Sequence, residues 1–337
     1  MTADQYLARG ESGETTVVPV IDIGPYLRGE DGAGTVVEQI RHACAEVGFF
    51  VLSGHDVTPD LLGRMRAVSA AFFDLPDEEK RRHTSVPGET MGYVPMGREN
   101  LAATLDLDRP ADLKEIFDIR RPDLPDDPYY GSRMGRRLFR PFEWPARPDG
   151  FARTWTEYYR AVESLAARVM EVFALALDLP ADYFTDKTDR SVDYLRVINY
   201  PAQDTPPAPG QLRAGEHTDY GTLTLVATED VPGGLQVRTR SGEWADVPHV
   251  PDSFVVNIGD MMAQWTNDAW VSTLHRVANP DTGAASARRQ SVVFFQNPNY
   301  DTVIAPIETC VTPAAPARYE PVPAGEWLLN KVTKQRA

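Results

Sequence analysis

Cysteine is scarce in this chain of 337 residues, where Cys44 and Cys310 are the only two. A pair so far apart builds neither a disulfide framework nor the paired spacing of a zinc finger. Both read as inert thiols in a reducing compartment. Lysine is scarce as well, and arginine supplies most of the 34 basic residues. Acidic residues number 49, so the net charge is −15, the wrong sign for a groove that follows a phosphate backbone. No apolar run reaches the roughly 18 residues that a membrane span needs. Residues 1–16 are polar and acidic, without the charged-then-apolar order of a secretory signal. No repeat of fixed period and no low-complexity tract is present. These absences leave a cytoplasmic globular protein, with no nucleic acid and no membrane as partner. Its length allows one large domain or two closely packed ones. Nothing in the sequence fixes its oligomeric state.

The first part of the chain mixes helices with short strands. Val18–Ile23 and Phe49–Leu52 read as strands, while Val36, Ile40, Cys44 and Val47 recur at helical spacing and predict a helix over Thr35–Val47. Thr58–Phe73 predicts a second helix. Lys80, Arg81 and Arg82 follow two glutamates and read as a solvated helix end. The stretch from Pro87 to Pro148 is rich in Pro, Gly, Asp and Arg, and reads as irregular chain, either a surface connector or part of a substrate lid. A long helix is expected over Phe151–Leu177. From Asp193 onward the pattern changes to short alternating runs broken by Gly, Pro, Asp and Asn, with Leu223–Thr228, Leu235–Thr239, Phe254–Ile258, Thr273–Ala278 and Ser291–Gln296 as strands. The fold class is therefore mainly β with flanking helices, around a jelly-roll or barrel core. Residues 1–150 form the N-terminal helical and strand region with the lid. Residues 151–337 form the long support helix, the catalytic core and a C-terminal helix, the two regions making one compact unit.

His217-Thr218-Asp219, followed by a lone His275, carries the chemistry. Residues at i and i+2 on a strand point to one face, so His217 and Asp219 can reach one metal ion. His275 suits a later strand crossing the same interior. Two imidazoles and one carboxylate make a facial triad, which holds iron(II) and leaves positions open for substrate and O2. Zinc accepts the same ligands, and the ligand set alone does not decide between them. Arg289 and Ser291 are again two apart. The rigid guanidinium fork suits a carboxylate bidentately, and the hydroxyl adds a donor. An organic acid beside the metal favours iron, because zinc has no redox chemistry to couple to it.

These stretches belong to a longer ordered set. It runs from Gly215-Glu216-His217-Thr218-Asp219-Tyr220-Gly221 through Gly233-Gly234-Leu235, Asn257-Ile258-Gly259-Asp260, Thr266-Asn267 and Leu274-His275-Arg276-Val277 to Arg289-Gln290-Ser291. Together with Val18-Pro19-Val20-Ile21-Asp22-Ile23 and Val47-Gly48-Phe49-Phe50 it resembles the iron(II)/2-oxoglutarate-dependent dioxygenases, in the branch similar to isopenicillin N synthase. The resemblance covers nearly the whole chain and implies a double-stranded β-helix core. It also implies His217, Asp219 and His275 as metal ligands, and Arg289, Ser291 and Tyr200 around the distal carboxylate of the co-substrate 2-oxoglutarate. The position two before Tyr200 is Ile198, where many plant members carry Asn. The interval from His275 to Arg289 is a few residues longer than usual in the family, with the extra length around 281–285, where a longer hairpin loop absorbs it. Asn257, Asp260, Thr266 and Asn267 fall on positions that orient ligands or shape turns. Trp265 and Trp270 read as core. His55 reads as structural, and His42, His83 and His249 are explained by helix faces and loops.

The implied activity is oxidation of an unactivated C–H bond, coupled to conversion of 2-oxoglutarate to succinate and carbon dioxide. Hydroxylation, desaturation and cyclisation are all within its reach. Family layout puts Tyr93, Arg98, Phe117 and Phe295 against the substrate. The arginine-for-lysine bias fits a GC-rich bacterial genome, and with it a role in specialised metabolite or antibiotic biosynthesis on an amino-acid- or peptide-derived compound. Two other readings stand beside this one. A keto-acid-independent oxidase similar to isopenicillin N synthase would place its own substrate carboxylate on the Arg-x-Ser motif. A jelly-roll binding protein would carry the triad without catalysis. Gly325–Leu329 is expected to form a helix that packs back on the body or closes the mouth of the site.

Overall fold

Alternating side chains build a sheet with two different faces, and that division organises the molecule. A computed structural model describes residues 17–84, 91–105, 107, 109–140, 142–202, 207–280 and 287–336, the side chains after Lys331 excepted. The polar N-terminus and the loop around 281–285 lie outside these residues. In chain order the strands are β1 (Val20–Asp22), β2 (Phe49–Ser53), β3 (Gly92–Val94), β4 (Glu115–Arg120), β5 (Tyr194–Tyr200) and β6 (Ala214–His217). They continue with β7 (Leu223–Ala227), β8 (Leu235–Arg238), β9 (Trp244–Asp246), β10 (Phe254–Ile258), β11 (His275–Val277) and β12 (Arg289–Gln296). The larger sheet has the order β1-β2-β10-β7-β12-β5-β4-β3, and the smaller one β6-β11-β8-β9. All pairs are antiparallel except β1 with β2.

Period-2 alternation assigns each side chain of the larger sheet to a face. Leu195 and Val197 of β5, with Val292 and Phe294 of β12, join the large apolar core beneath the helices. Tyr194, Arg196, Ile198 and Tyr200 point the other way, as do Ser291, Val293 and Phe295, into the space between the two sheets. The helical side is supplied by α1 (Ala33–Glu46), α2 (Pro59–Phe73), α3 (Asp77–Arg81), α4 (Gly135–Leu138), α5 (Phe151–Ala176), α6 (Asp260–Trp265) and α7 (Ala324–Arg336). Trp155, Tyr158, Tyr159, Val162, Leu165, Ala166 and Val169 form one buried stripe of α5 at helical spacing. Thr58 caps α2 by accepting from the Leu61 amide at 3.3 Å, with Pro59 in the first turn, where a missing N–H costs nothing.

The sheet also joins the two halves of the sequence. The boundary expected near residue 150 coincides with the start of α5, yet β1–β4 lie in the same sheet as β5, β7, β10 and β12. The stretch from Pro87 to Pro148, expected as irregular chain, contributes β3 and β4 to the edge of that sheet. Charged residues at the cavity-facing positions of β4, Asp118 and Arg120, hide the strand pattern. Glu115, Phe117 and Ile119 form its buried helical face. Lys80 also turns inward rather than into solvent. Its ammonium reaches Glu115 Oε2 at 2.9 Å, and the same carboxylate accepts from Tyr93 Oη at 2.5 Å and Asn199 Nδ2 at 2.8 Å.

Two expected substrate contacts are corrected by this arrangement. Phe117 is fully buried, with ring centroids of Phe72, Phe151 and Trp155 at 4.8, 5.2 and 5.4 Å. Tyr93 is buried against Phe72 and spends its hydroxyl on Glu115. Both face the helices because their strand parity places them there. Phe117→Ala is therefore expected to lower folding stability by about 3–5 kcal/mol through loss of buried contacts and the cavity left behind. Urea unfolding followed by circular dichroism measures this, and a midpoint equal to wild type would refute the assignment.

Candidate active site

β6 and β11 are neighbours in the smaller sheet, and His217 and His275 stand directly opposite each other across them. Asp219 lies two residues past His217, beyond the end of β6, so strand parity alone does not aim it. The start of α6 holds it instead. The Asp260 amide donates to the Asp219 carbonyl at 2.8 Å, and the Met261 amide to the Tyr220 carbonyl at 3.1 Å. This docking needs glycine at position 259. A Cβ on Gly259 would sit 2.2 Å from the Gly221 carbonyl oxygen. One potential ligand atom from each of His217, Asp219 and His275 falls within 4.8 Å of the others, and these are the only such group of three among the described residues.

The hydrogen bonds around the three residues fix which atoms face inward. His217 Nδ1 lies 2.8 Å from the Gly215 carbonyl and His275 Nδ1 lies 3.1 Å from the Thr273 carbonyl, so each ring donates there and turns Nε2 toward the centre. Those two Nε2 atoms lie 3.8 and 3.7 Å from Asp219 Oδ1. These distances are too long for hydrogen bonds, yet short enough for one ion to meet all three atoms. Asp219 Oδ2 is taken by Thr224 Oγ1 at 2.6 Å and Asn257 Nδ2 at 2.7 Å. Burial and the neighbouring His275 push the His217 imidazole down to about 3. Burial alone would raise the Asp219 carboxyl, but the two histidines and the donors from Thr224 and Asn257 hold it below its ordinary value. A neutral His217 imidazole beside an ionised Asp219 is a protonation state that suits a cation. The donor set fits iron(II).

A second polar end lies along the same cavity. Arg289 and Tyr200 are cross-strand partners on β12 and β5, and Ser291 faces Ile198 in the next inward-facing pair. Arg289 is 3% exposed, and burial lowers its affinity for its proton. Its Nη1 donates to the carbonyls of Glu229 and Gly233, both at 3.2 Å, while Nε is buried without a partner. A buried guanidinium with an orphaned donor fits a carboxylate ligand, which would satisfy the missing bond.

The remaining wall was largely missed from sequence. Arg196 on β5 donates through Nε and Nη2 to Asp118, each at 2.8 Å, and through Nη1 to Glu99 at 3.2 Å. Lys114 lies 2.8 Å from Glu99 and 3.0 Å from Asp112. Burial would raise the Glu99 carboxyl, but Lys114 and Arg196 hold it well below the usual carboxylate range. The available signal was the alternation of charge along Lys114-Glu115-Ile116-Phe117-Asp118 and Tyr194-Leu195-Arg196. Phe295 lies in the cavity wall as expected and stacks on Tyr194 at 4.4 Å with an interplanar angle of 17°. Arg98 does not reach the cavity. It is exposed at a turn after Pro95, and its neighbour Glu99 points inward instead.

Asn257 carries the orienting role expected of it. Thr266 and Asn267 shape a turn, Asn267 at φ 55° with its amide donating to the carbonyls of Ala315 and Pro316. Trp265 and Trp270 are core. The C-terminal helix packs back on the body and closes one side of the cavity. Lys331 meets Asp260 at 2.8 Å, Trp327 Nε1 donates to Gln264, and Leu328 and Leu329 line the cavity. Lys114→Met is expected to destabilise the protein by about 3–5 kcal/mol, because it leaves Glu99 and Asp112 buried with their main countercharge gone. Chemical denaturation measures it, and a loss below about 1 kcal/mol would show that the network tolerates an apolar replacement.

Comparison with known proteins agrees with this geometry. A family model for the 2OG-Fe(II) oxygenase superfamily matches residues 192–298, and one for the non-haem dioxygenase in morphine synthesis N-terminal region matches residues 18–147. A homoarginine-6-hydroxylase of Glycine max is 35% identical over 330 residues, which are 94% of this chain and 96% of the relative. Validamycin A dioxygenase of Streptomyces hygroscopicus subsp. limoneus is 30% identical over 94% of this chain and 86% of its own. The structure of a full-length Neurospora crassa protein in complex with alpha-KG and thymine superimposes with a TM-score of 0.83 at 31% identity, covering 97% of this chain and 99% of that one. Two matching family models and relatives that align along almost its whole length establish that the chain belongs to the 2-oxoglutarate/iron(II)-dependent oxygenase family.

Proposed function

We propose that this 2-oxoglutarate-dependent dioxygenase works in the cavity between the two sheets, with His217, Asp219 and His275 holding iron(II). Arg289, Ser291 and Tyr200 take the distal carboxylate of 2-oxoglutarate. The observation that carries this reading is the convergence of two imidazole Nε2 atoms on Asp219 Oδ1, in the same cavity as a buried guanidinium with an unpartnered donor. When bound, iron and 2-oxoglutarate supply the oxidising power, the keto acid going to succinate and carbon dioxide as dioxygen is reduced and a substrate C–H bond is oxidised.

The chain's own residues select and orient. Thr224 and Asn257 hold one oxygen of Asp219, so the other keeps a fixed direction toward the metal. Arg289 fixes one end of the keto acid, which leaves its other end to reach the triad. Phe295, backed by Tyr194, and the aliphatic Ile198 and Val293 present a wall against which the substrate lies. Leu328 and Leu329 cover the cavity from α7 and exclude water. The cavity volume of about 470 Å³ suits a small molecule. The reaction is hydroxylation, with desaturation or cyclisation as variants of the same step. A role in specialised metabolism, antibiotic biosynthesis included, is supported by relatives such as the Validamycin A dioxygenase. No described helix is long and apolar enough to cross a membrane, and both cysteines are free, which supports a cytoplasmic site.

Anaerobic titration of the metal-free protein with iron(II) and 2-oxoglutarate is expected to give a weak visible charge-transfer band that needs both components. Arg289→Ala should lose it at concentrations that saturate wild type. Confirmed iron binding without a band would favour the keto-acid-independent reading, in which oxygen is consumed with substrate but no succinate appears. Asn257→Ala is expected to weaken iron(II) binding about 10- to 100-fold by freeing the Asp219 carboxylate. Competition against a colorimetric chelator measures this, and an unchanged dissociation constant would remove Asn257 from its positioning role.

A further inference from the structure

The chain carries a net charge of −15, yet seven Arg or Lys side chains line the cavity against three carboxylates. Most of those cations are already committed. Arg196 and Lys114 are tied to Asp118, Glu99 and Asp112, and Arg82 makes an exposed pair with Glu78 at 3.3 Å. Arg289 answers the co-substrate, Arg120 donates to the Val192 carbonyl at 2.9 Å, and Arg140 also has a partner. Of the carboxylates, Asp219 faces the two imidazoles and Glu99 is met by two cations, so Glu143 alone stands at the mouth. Arg137 is different. It lies on α4, it is exposed at the cavity mouth, and among the described residues no carboxylate comes within ion-pair distance of it. Leu138, Phe142, Leu328 and Leu329 line the same cavity and are apolar.

We propose that the substrate is an amphipathic acid whose carboxylate or phosphate is received by Arg137 at the mouth while its apolar part runs inward past Phe295. This rests on the reading of the cavity as the catalytic one. A cationic substrate group would find no carboxylate inside that is not already countered. A neutral one would leave Arg137 without a counter-ion. Anchoring the acid at the mouth also separates it from the carboxylate at Arg289, along a wall that is aliphatic at Ile198 and Val293, so the two anions do not compete for one site.

The test uses protein loaded anaerobically with iron(II) and saturating 2-oxoglutarate, so that the Arg289 end is filled. Two matched series serve as probes: 3-phenylpropanoate, 3-phenylpropanamide and 3-phenylpropylamine, then octanoate, octanamide and octylamine. Binding is read from the shift of the visible band. Each acid is expected to bind about tenfold tighter than its amide and amine, a preference lost in Arg137→Glu and kept in Arg137→Lys. Equal or tighter binding of the amide or amine, no acid binding, or a preference that survives Arg137→Glu would overturn the proposal. Absence of the band before any probe is added would instead refute the 2-oxoglutarate reading of the cavity, and the proposal with it.

Discussion

The division of labour within one carboxylate governs the rest of the site. Asp219 gives Oδ2 to Thr224 and Asn257 and turns Oδ1 to two imidazoles. The donors come from β7 and β10, in the larger sheet, whereas both histidines belong to the smaller one. The carboxylate therefore works only if the two sheets hold their separation and register. A one-residue slip of β10 would move Asn257 to the opposite face. The close approach of Gly221 and Gly259, and the amide bonds from the start of α6, fix the turn that carries Asp219 to the same tolerance.

Around this centre the protein keeps a large amount of charge out of water. Asp118, Arg196, Glu99, Lys114 and Asp112 form a continuous run in which neighbours alternate in sign. Such a run is seldom more stable than well-packed hydrocarbon would be. What it provides is a polar wall whose side chains are already locked, so a bound molecule meets a surface that has little left to reorganise. The helical side shows the opposite solution, an aromatic mass of Phe72, Phe117, Phe151 and Trp155 in which Trp155 Nε1 is the single ring donor.

Legibility in the sequence followed how local the signal was. The helices over 33–46, 59–73 and 151–176 and the late strands were readable because their periodicity lies within one element. His217, Asp219, His275 and Arg289 stood out in the sequence because few other residue patterns combine these groups at these spacings, and the structure brings ligand atoms of the first three within 4.8 Å of one another. Phe117 and Tyr93 were misassigned to the substrate because a loop was expected where a strand exists, and strand parity decides which way such residues face. Arg98 was chosen over Glu99 for a similar reason, since a single turn separates an exposed arginine from an inward carboxylate. The ionic wall was readable only as alternating charge along two separate stretches, not as a set of pairs. Its members come from three separated stretches, and only the pairing of β4 with β5 and the turn before β4 bring them together.

β12 carries Arg289, Ser291, Val293 and Phe295 on one face of a single strand. At about 3.3–3.4 Å per residue the backbone acts as a ruler, setting Arg289 and Phe295 roughly 20 Å apart. Neither end can be adjusted by inserting or deleting a residue, since that would invert every side chain beyond the change. Diversification of such a scaffold is thereby channelled. The Phe295 end can change one side chain at a time while the Arg289 end keeps its place in the strand, so the two ends of the cavity can be altered independently.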